Sequence, residues 1–265
     1  FFFTTHDEQF DNMAGFLRQN GFANIIAQDD YPQERVFSIL GVPDHDMYQK
    51  SLEVLDKAKT PFFAVMLTGS NHKPHVIPPE LKAQFNGPNE KENIVRYADW
   101  ALGYLLQNAA SKPWFKDTLF VVLADHGQSV GASPLDQILS YHHMPLIFWA
   151  PQLLGAHRQL DNPVSQIDVL PTIMGLLGGE VHNNSMGRDV LKQPRTWVYM
   201  VNDTGACVRF ADLLECESED GRKTQYPLSA SSWKTNSTDS TTVWKTVHAE
   251  WQLSDWVLRQ QNIRR

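Results

Sequence analysis

The sequence predicts an α/β fold built on a parallel sheet, and three observations carry that expectation. Strand and helix signals alternate through the first two-thirds of the 265 residues. The run Thr118-Leu119-Phe120-Val121-Val122-Leu123-Ala124 is apolar at six of seven positions and mostly β-prone, as a strand buried on both faces requires. The segment Pro88–Ala110 sets Ile94, Tyr97, Ala98, Ala101 and Leu105 on one face at helical spacing.

In order along the chain, Phe1–Phe3 reads as a strand end. Phe10–Asn20 spaces Phe10, Met13, Phe16 and Leu17 as a helix face, and Gly21 follows as a C-terminal cap. Ala23–Ala27 fits a short strand, and Asp44–Lys59 fits a helix that Thr60-Pro61 stops. Phe62–Leu67 reads as a second buried strand running into Thr68-Gly69-Ser70-Asn71-His72. After the Thr118 run, Leu146–Trp149 is another strand. Val164–Leu177 is a helix interrupted by Pro171 and closed by Gly178-Gly179. The pattern changes near Pro194. Trp197–Val201 and Ala206–Phe210 read as strands, Glu217–Arg222 and Ser229–Thr242 as polar loops, and Val243–Gln261 as a closing amphipathic helix. Residues 194–265 are therefore expected to form a small α+β appendage of the domain made by residues 1–193.

Composition narrows the function. A hydrophobic share of 42 % supports a sizeable core. The net charge of -7 and the lack of a basic block exclude nucleic acid as an expected partner. An anionic substrate would need local positive charge, most simply a metal ion. No apolar run reaches the ~18 residues that cross a bilayer, and no stretch of these residues reads as a signal peptide. The opening Phe1-Phe2-Phe3 reads as the middle of a strand, so an upstream segment, with a secretion signal or membrane anchor, is expected. Cys207 and Cys216 fit either a disulfide across a short hairpin or two unpaired thiols, which leaves the compartment open.

The chemistry is expected at strand ends, where ligands of open α/β sheets bind. The Thr118 run delivers Asp125, His126 and Gly127 there together. Adjacent carboxylate and imidazole donors suit a divalent cation, although Asp125 capping a helix and His126 bonding a loop would be the plain structural alternative. Three further clusters join them: Thr4-Thr5-His6-Asp7 after the first strand, His72 after the second, and His142-His143 before Leu146–Trp149. Together they fit a metal-centred site for a tetrahedral anion. No Gly-x-Ser-x-Gly elbow, phosphate loop, dinucleotide fingerprint or Cys/Ser-x-Pro-x-Arg nucleophile motif occurs.

The order of several segments carries a resemblance. Phe10-Asp11-Asn12-Met13 comes first, then Ser70-Asn71-His72-Lys73-Pro74, then Tyr97-Ala98-Asp99-Trp100-Ala101-Leu102-Gly103. Asp125-His126-Gly127, His143-Met144-Pro145-Leu146-Ile147 and Gln166-Ile167-Asp168-Val169-Leu170-Pro171-Thr172 follow. Over roughly Phe1–Val190 the chain resembles the sulfatase-domain proteins of the alkaline phosphatase superfamily, in the branch related to lipoteichoic acid synthase. The resemblance implies a three-layer α/β/α sandwich and a metal-dependent hydrolase of sulfuric or phosphoric esters. One divalent ion (manganese, zinc, magnesium or calcium) would be held in part by Asp125 and His126. His72 matches a histidine that contacts the substrate phosphate group, so it is the expected catalytic residue. His6, Asp7, Asp11, His142 and His143 are expected substrate-binding residues. Asp11 and Met13 stand where the synthase branch has a Trp and an Arg, which weakens the case for a glycerol-phosphate substrate. The implied substrate is a small sulfate or phosphate ester on a lipid- or glycan-linked alcohol, handled in the cell envelope outside the cytoplasmic membrane. A phosphoglycerol or phosphoethanolamine transferase is the alternative enzyme, and a non-catalytic binding remnant is the alternative of another class. The nucleophile and first acidic ligand are expected upstream of Phe1, so these residues alone are expected to be catalytically silent.

Overall fold

Strand β1 (Phe2–Thr4) is the middle of a three-stranded parallel sheet, flanked by β2 (Ile25–Ile26) and β3 (Val65–Leu67). Parallel neighbours need crossovers, and helices supply them. These are α1 (Met13–Gln19) between β1 and β2, and α2 (Asp44–Leu55) between β2 and β3. The computed structural model describes residues 1–150, 152–179, 183, 185–202, 205–210, 212–228 and 240–263. They fall into two compact units, Phe1–Val121 with Phe148–Gly155, and Val122–Ile147 with Ala156–Arg265.

The core of the first unit lies where α2 meets α3 (Glu90–Ala109) beside the sheet. Met47, Leu52 and Leu55 of α2 and Ile94, Tyr97, Ala101 and Leu105 of α3 are buried, joined by Phe3 from β1. The α3 residues are three or four apart and share one stripe, and buried Tyr48, Leu52 and Leu55 repeat that spacing on α2. Burying one such Leu or Ile contributes about 1.5–3 kcal/mol, so the α3 stripe is a main source of this unit's stability. Asn89 caps α3 by accepting hydrogen bonds from the Lys91 and Glu92 amides.

Four local expectations are corrected. Phe10–Asn12 is a separate 3₁₀ turn, because Asp11 and Asn12 are left-handed at φ 54° and 58°. The break disrupts the expected helix face. Phe10 and Phe16 stand 58 % and 64 % exposed, while Leu17 is buried as expected and Ala14 joins it. The strand β4 (Phe120–Leu123) is half-buried and ends on an exposed Leu123, not buried on both faces. Its hydrogen-bonded partner among the described residues is β5 (Leu146–Trp149), in a sheet of two strands, and β3 is likewise a half-buried edge strand. Pro171 does not interrupt a helix. It sits in the first turn of α5 (Val169–Leu176), where its missing amide is not needed.

In the second unit, helix α4 (Pro134–His142) lies between β4 and β5 in the chain. The C-terminal strands β6 (Trp197–Asn202), β7 (Gly205–Phe210), β8 (Leu213–Ser218) and β9 (Lys223–Pro227) make an antiparallel meander. Helix α6 (Ser240–Ile263) packs Val243, Trp244 and Val247 against Ala206, Val208 and Phe210. The expected loop Glu217–Arg222 begins inside β8, and the turn to β9 is shorter. Glu215 hides this strand from a polarity reading: it is buried and accepts from the Trp244 indole and the Gln225 amide. The expected loop Ser229–Thr242 lies largely outside the described residues, and Ser240–Thr242 open α6. Cys207 and Cys216 face each other directly across β7 and β8 and form a disulfide. Among the described residues, no helix is long and apolar enough to cross a membrane.

Candidate active site

The loop after β3 carries His72, and a buried carboxylate sets its start. Asp44, the first residue of α2, is 1 % exposed. Its Oδ1 accepts from the Gly69 amide at 2.9 Å and the Ser70 amide at 3.0 Å, and its own amide donates to Ser70 Oγ at 3.1 Å. Burial pushes this carboxyl up from the ordinary range, and the two amides pull it back. Gly69 is required by close approach: a Cβ there would stand 2.5 Å from Thr5 Oγ1. The His72 amide donates to the Gly69 carbonyl at 3.1 Å. Its exposed ring holds Nδ1 2.8 Å from the Lys73 carbonyl, which leaves Nε2 for another partner.

The loop after β1 holds three other candidates. His6 is buried, with Nδ1 3.1 Å from the Asp7 carbonyl and its ring 5.2 Å from that of Phe10. Asp7 is exposed, and its Oδ1 accepts from the Gln9 amide at 2.8 Å, which closes the turn. Asp11 is exposed in its left-handed position. Positive φ at a non-glycine residue costs of order 1 kcal/mol and persists only where surroundings impose it. Thr4 and Thr5 are fully buried at the end of β1, and their hydroxyls have no hydrogen-bond partner among the described residues.

The second unit holds Asp125, His126, His142 and His143. Asp125 Oδ1 accepts from the His126 amide at 2.8 Å, and its Oδ2 stands 3.7 Å from His126 Nε2. The side chains are 75 % and 47 % exposed. His126 Nδ1 is 2.7 Å from the Gly127 carbonyl, which can only accept, so Nδ1 carries a proton and Nε2 points elsewhere. Tyr141 of α4 stacks on the His126 ring at 4.6 Å and 17°. The Gly127 amide donates to the Tyr141 carbonyl at 2.7 Å, and a Cβ on Gly127 would stand 2.1 Å from the Ser140 carbonyl. His142 is half-buried, and burial, followed by the charge of His126, holds its imidazole below the ordinary value. His143 is exposed and closes α4, its amide donating to the Leu139 carbonyl at 2.8 Å.

The donor set at Asp125 and His126 fits a divalent ion. Two ligands at about 2.1 Å from a tetrahedral ion stand ~3.4 Å apart, close to the 3.7 Å observed here. A ring nitrogen tied to a carbonyl is the usual support of a metal-binding imidazole. The pair supplies two ligands, and among the described residues no group of three or more His, Cys, Asp or Glu side chains is gathered for a metal.

The match to known proteins decides the family. The Sulfatase family model matches residues 2–179. This chain belongs to the sulfatase family. It is 28 % identical over 173 residues to the lipoteichoic acid synthase of Staphylococcus saprophyticus, covering 58 % of this chain and 26 % of that protein. It is 24 % identical over 241 residues to a lipoteichoic acid synthase-like protein of Bacillus subtilis, covering 74 % and 39 %. It therefore spans well under half the length of these curated relatives. Among solved structures, an alkaline phosphatase superfamily protein of Vibrio parahaemolyticus superposes with a TM-score of 0.77 at 27 % identity, covering 91 % of this chain and 61 % of that one. The lipoteichoic acid synthase LtaP of Listeria monocytogenes gives 0.79 at 21 %, covering 98 % and 69 %, a likeness of fold. The expected α/β, alkaline phosphatase-like fold class is thereby established.

Sequence reasoning missed the supports of both candidate segments. Asp44 and Ser70 are 26 residues apart, so nothing local announces their bond. Gln166 donates from Nε2 to the Asp125 carbonyl at 2.6 Å across 41 residues. Helix α4, which presents Tyr141, did carry a readable start: Ser133 as N-cap accepting from the Asp136 amide at 3.1 Å, with Pro134 at the first turn.

Proposed function

We propose that this chain forms part of a metal-dependent enzyme acting on sulfuric or phosphoric esters, residues 1–193 belonging to its catalytic region and residues 194–265 to an appendage. The observation that carries the reading is the turn at the end of β4, where Asp125 Oδ2 and His126 Nε2 lie 3.7 Å apart with Nδ1 tied to the Gly127 carbonyl. A divalent ion held there would supply the positive charge that activates a hydroxyl nucleophile and polarises the ester oxygen. Asp125 contributes a carboxylate oxygen and His126 a neutral imidazole nitrogen. His72 keeps Nδ1 on the Lys73 carbonyl and offers Nε2 to the substrate. When protonated, it donates to an outer oxygen of the tetrahedral centre, where charge grows in the transition state. His6, Asp7, Asp11, His142 and His143 serve the rest of the substrate.

The similarity to lipoteichoic acid synthase and to a synthase-like protein favours a second reading, a phosphoglycerol or phosphoethanolamine transferase with an alcohol in place of water as acceptor. The Cys207–Cys216 disulfide favours an oxidising compartment, consistent with action in the cell envelope.

The test is metal content. Full-length protein purified with manganese should retain about one ion, and the Asp125→Ala, His126→Ala double variant should retain none by elemental analysis. Equal metal in both proteins would remove Asp125 and His126 from the site.

A further inference from the structure

The Asp125–His126 turn stands in solvent, yet both of its donors are held, and neither holder is itself a metal-type ligand. On the backbone side, Gln166 Nε2 donates to the Asp125 carbonyl at 2.6 Å and to the Ala124 carbonyl at 3.3 Å, and lies 3.9 Å from Met144 Sδ. On the ring side, Tyr141 lies nearly parallel to His126 at 4.6 Å. The last turn of α4 closes on Gly127 through the 2.7 Å bond between the Gly127 amide and the Tyr141 carbonyl. Gly127 has no room for a Cβ there, which keeps the stack and the hydrogen bond in one register.

We infer that Gln166 and Tyr141 are positioning residues that pre-set Asp125 and His126 for a divalent cation. The inference rests on the metal-site reading above. The physical reason is the cost of ordering. An exposed imidazole has two soft torsions, and an exposed Asp has a carboxylate that turns freely. Two ligands give a metal little to organise them with, so affinity depends on how far the pair is ordered beforehand. The Tyr141 face removes the swing of the His126 ring, and the Gly127 carbonyl sets its tautomer. The Gln166 amide fixes the peptide that carries the Asp125 carboxylate. The phenol hydroxyl has no part in this, so a phenylalanine at position 141 should serve as well.

The experiment is titration of full-length protein with manganese alone, reading free ion by electron paramagnetic resonance. Tyr141→Ala and Gln166→Ala should each weaken manganese binding by about 10–100-fold, the range for lost support of a metal ligand. Tyr141→Phe should stay within about threefold of the parent, a rescue that a general packing role for the hydroxyl would not give. Thermal unfolding of each variant separates loss of binding from loss of fold. Should Tyr141→Ala fail to fold, Tyr141→Leu and Gln166→Ala carry the test. Parent-like affinity in Tyr141→Ala and Gln166→Ala, with binding lost in the Asp125→Ala, His126→Ala protein, would overturn this inference and leave the metal reading standing. Parent-like affinity in that double variant would overturn the metal reading itself.

Discussion

The His72 loop and the Asp125–His126 turn both follow a strand and both rely on a glycine packed against backbone or a buried hydroxyl, but they are held by opposite means. The His72 loop hangs from the core: Asp44 is buried at the start of α2, close to Tyr97, and binds two loop amides. The Asp125–His126 turn is held from outside, by an amide and an aromatic ring at the surface. In the first region, placing the candidate side chain and stabilising the unit are one task. In the second they are separate. Substitutions that disturb the Asp44 anchor of the first should cost fold and function together. Those that disturb the second should cost metal binding at nearly constant stability.

The largest expected effect tests whether the well-founded loop carries chemistry at all. His72→Ala in the full-length protein should keep its metal and lose about 10²–10⁴-fold in turnover of an aryl sulfate or aryl phosphate, the range for a lost acid or charge stabiliser. Because the His72 ring is exposed, its unfolding temperature should not move. Full turnover would give His72 a structural role and leave the Asp44 foundation without a catalytic purpose.

Next in size is the foundation. Asp44→Ala strips the acceptor from two amides, and each buried amide left unpaired costs about 1–3 kcal/mol, so urea unfolding should register a loss of about 2–4 kcal/mol. Asp44→Asn keeps one acceptor oxygen and should lose clearly less. If Asp44→Ala unfolds at the parent's urea concentration, the contrast between the two regions fails.

The smallest effect is in pH. His45, beside Asp44, bonds Tyr97 Oη through Nδ1 at 2.8 Å, and burial is the main cause that lowers its imidazole from the ordinary value. The unfolded chain then takes up the proton more readily than the native one. Stability is therefore full above about pH 6.5 and declines as pH falls through that value towards the lower native one. His45→Gln keeps a polar partner for Tyr97 but does not titrate. Its stability should change less between pH 7 and pH 5 than the parent's. Parallel slopes would assign the acid loss to other groups.

What the sequence determined by itself is local. The stripe Ile94, Tyr97, Ala101 and Leu105 makes α3 legible because a helix face is written in neighbours three and four residues apart. The β-prone runs mark β3, β4 and β5, and the order of motifs points to the sulfatase family that the comparison establishes. Asp125 and His126 are legible as a pair because they are adjacent. The tertiary structure decided what depends on distant partners. Burial of β3 and β4 follows from how many strands flank them, which no strand records in its own residues. The strand β8 is masked by Glu215, which is accommodated in the interior by donors that come from elsewhere, Trp244 and Gln225, with Lys223 Nζ 3.6 Å away. Cys207 and Cys216 become a disulfide, not two thiols, through the register of β7 on β8. Asp44, Gln166 and Tyr141 acquire their places only when the chain returns to them, because a hydrogen bond or a ring stack is set by position in space and not by spacing along the sequence.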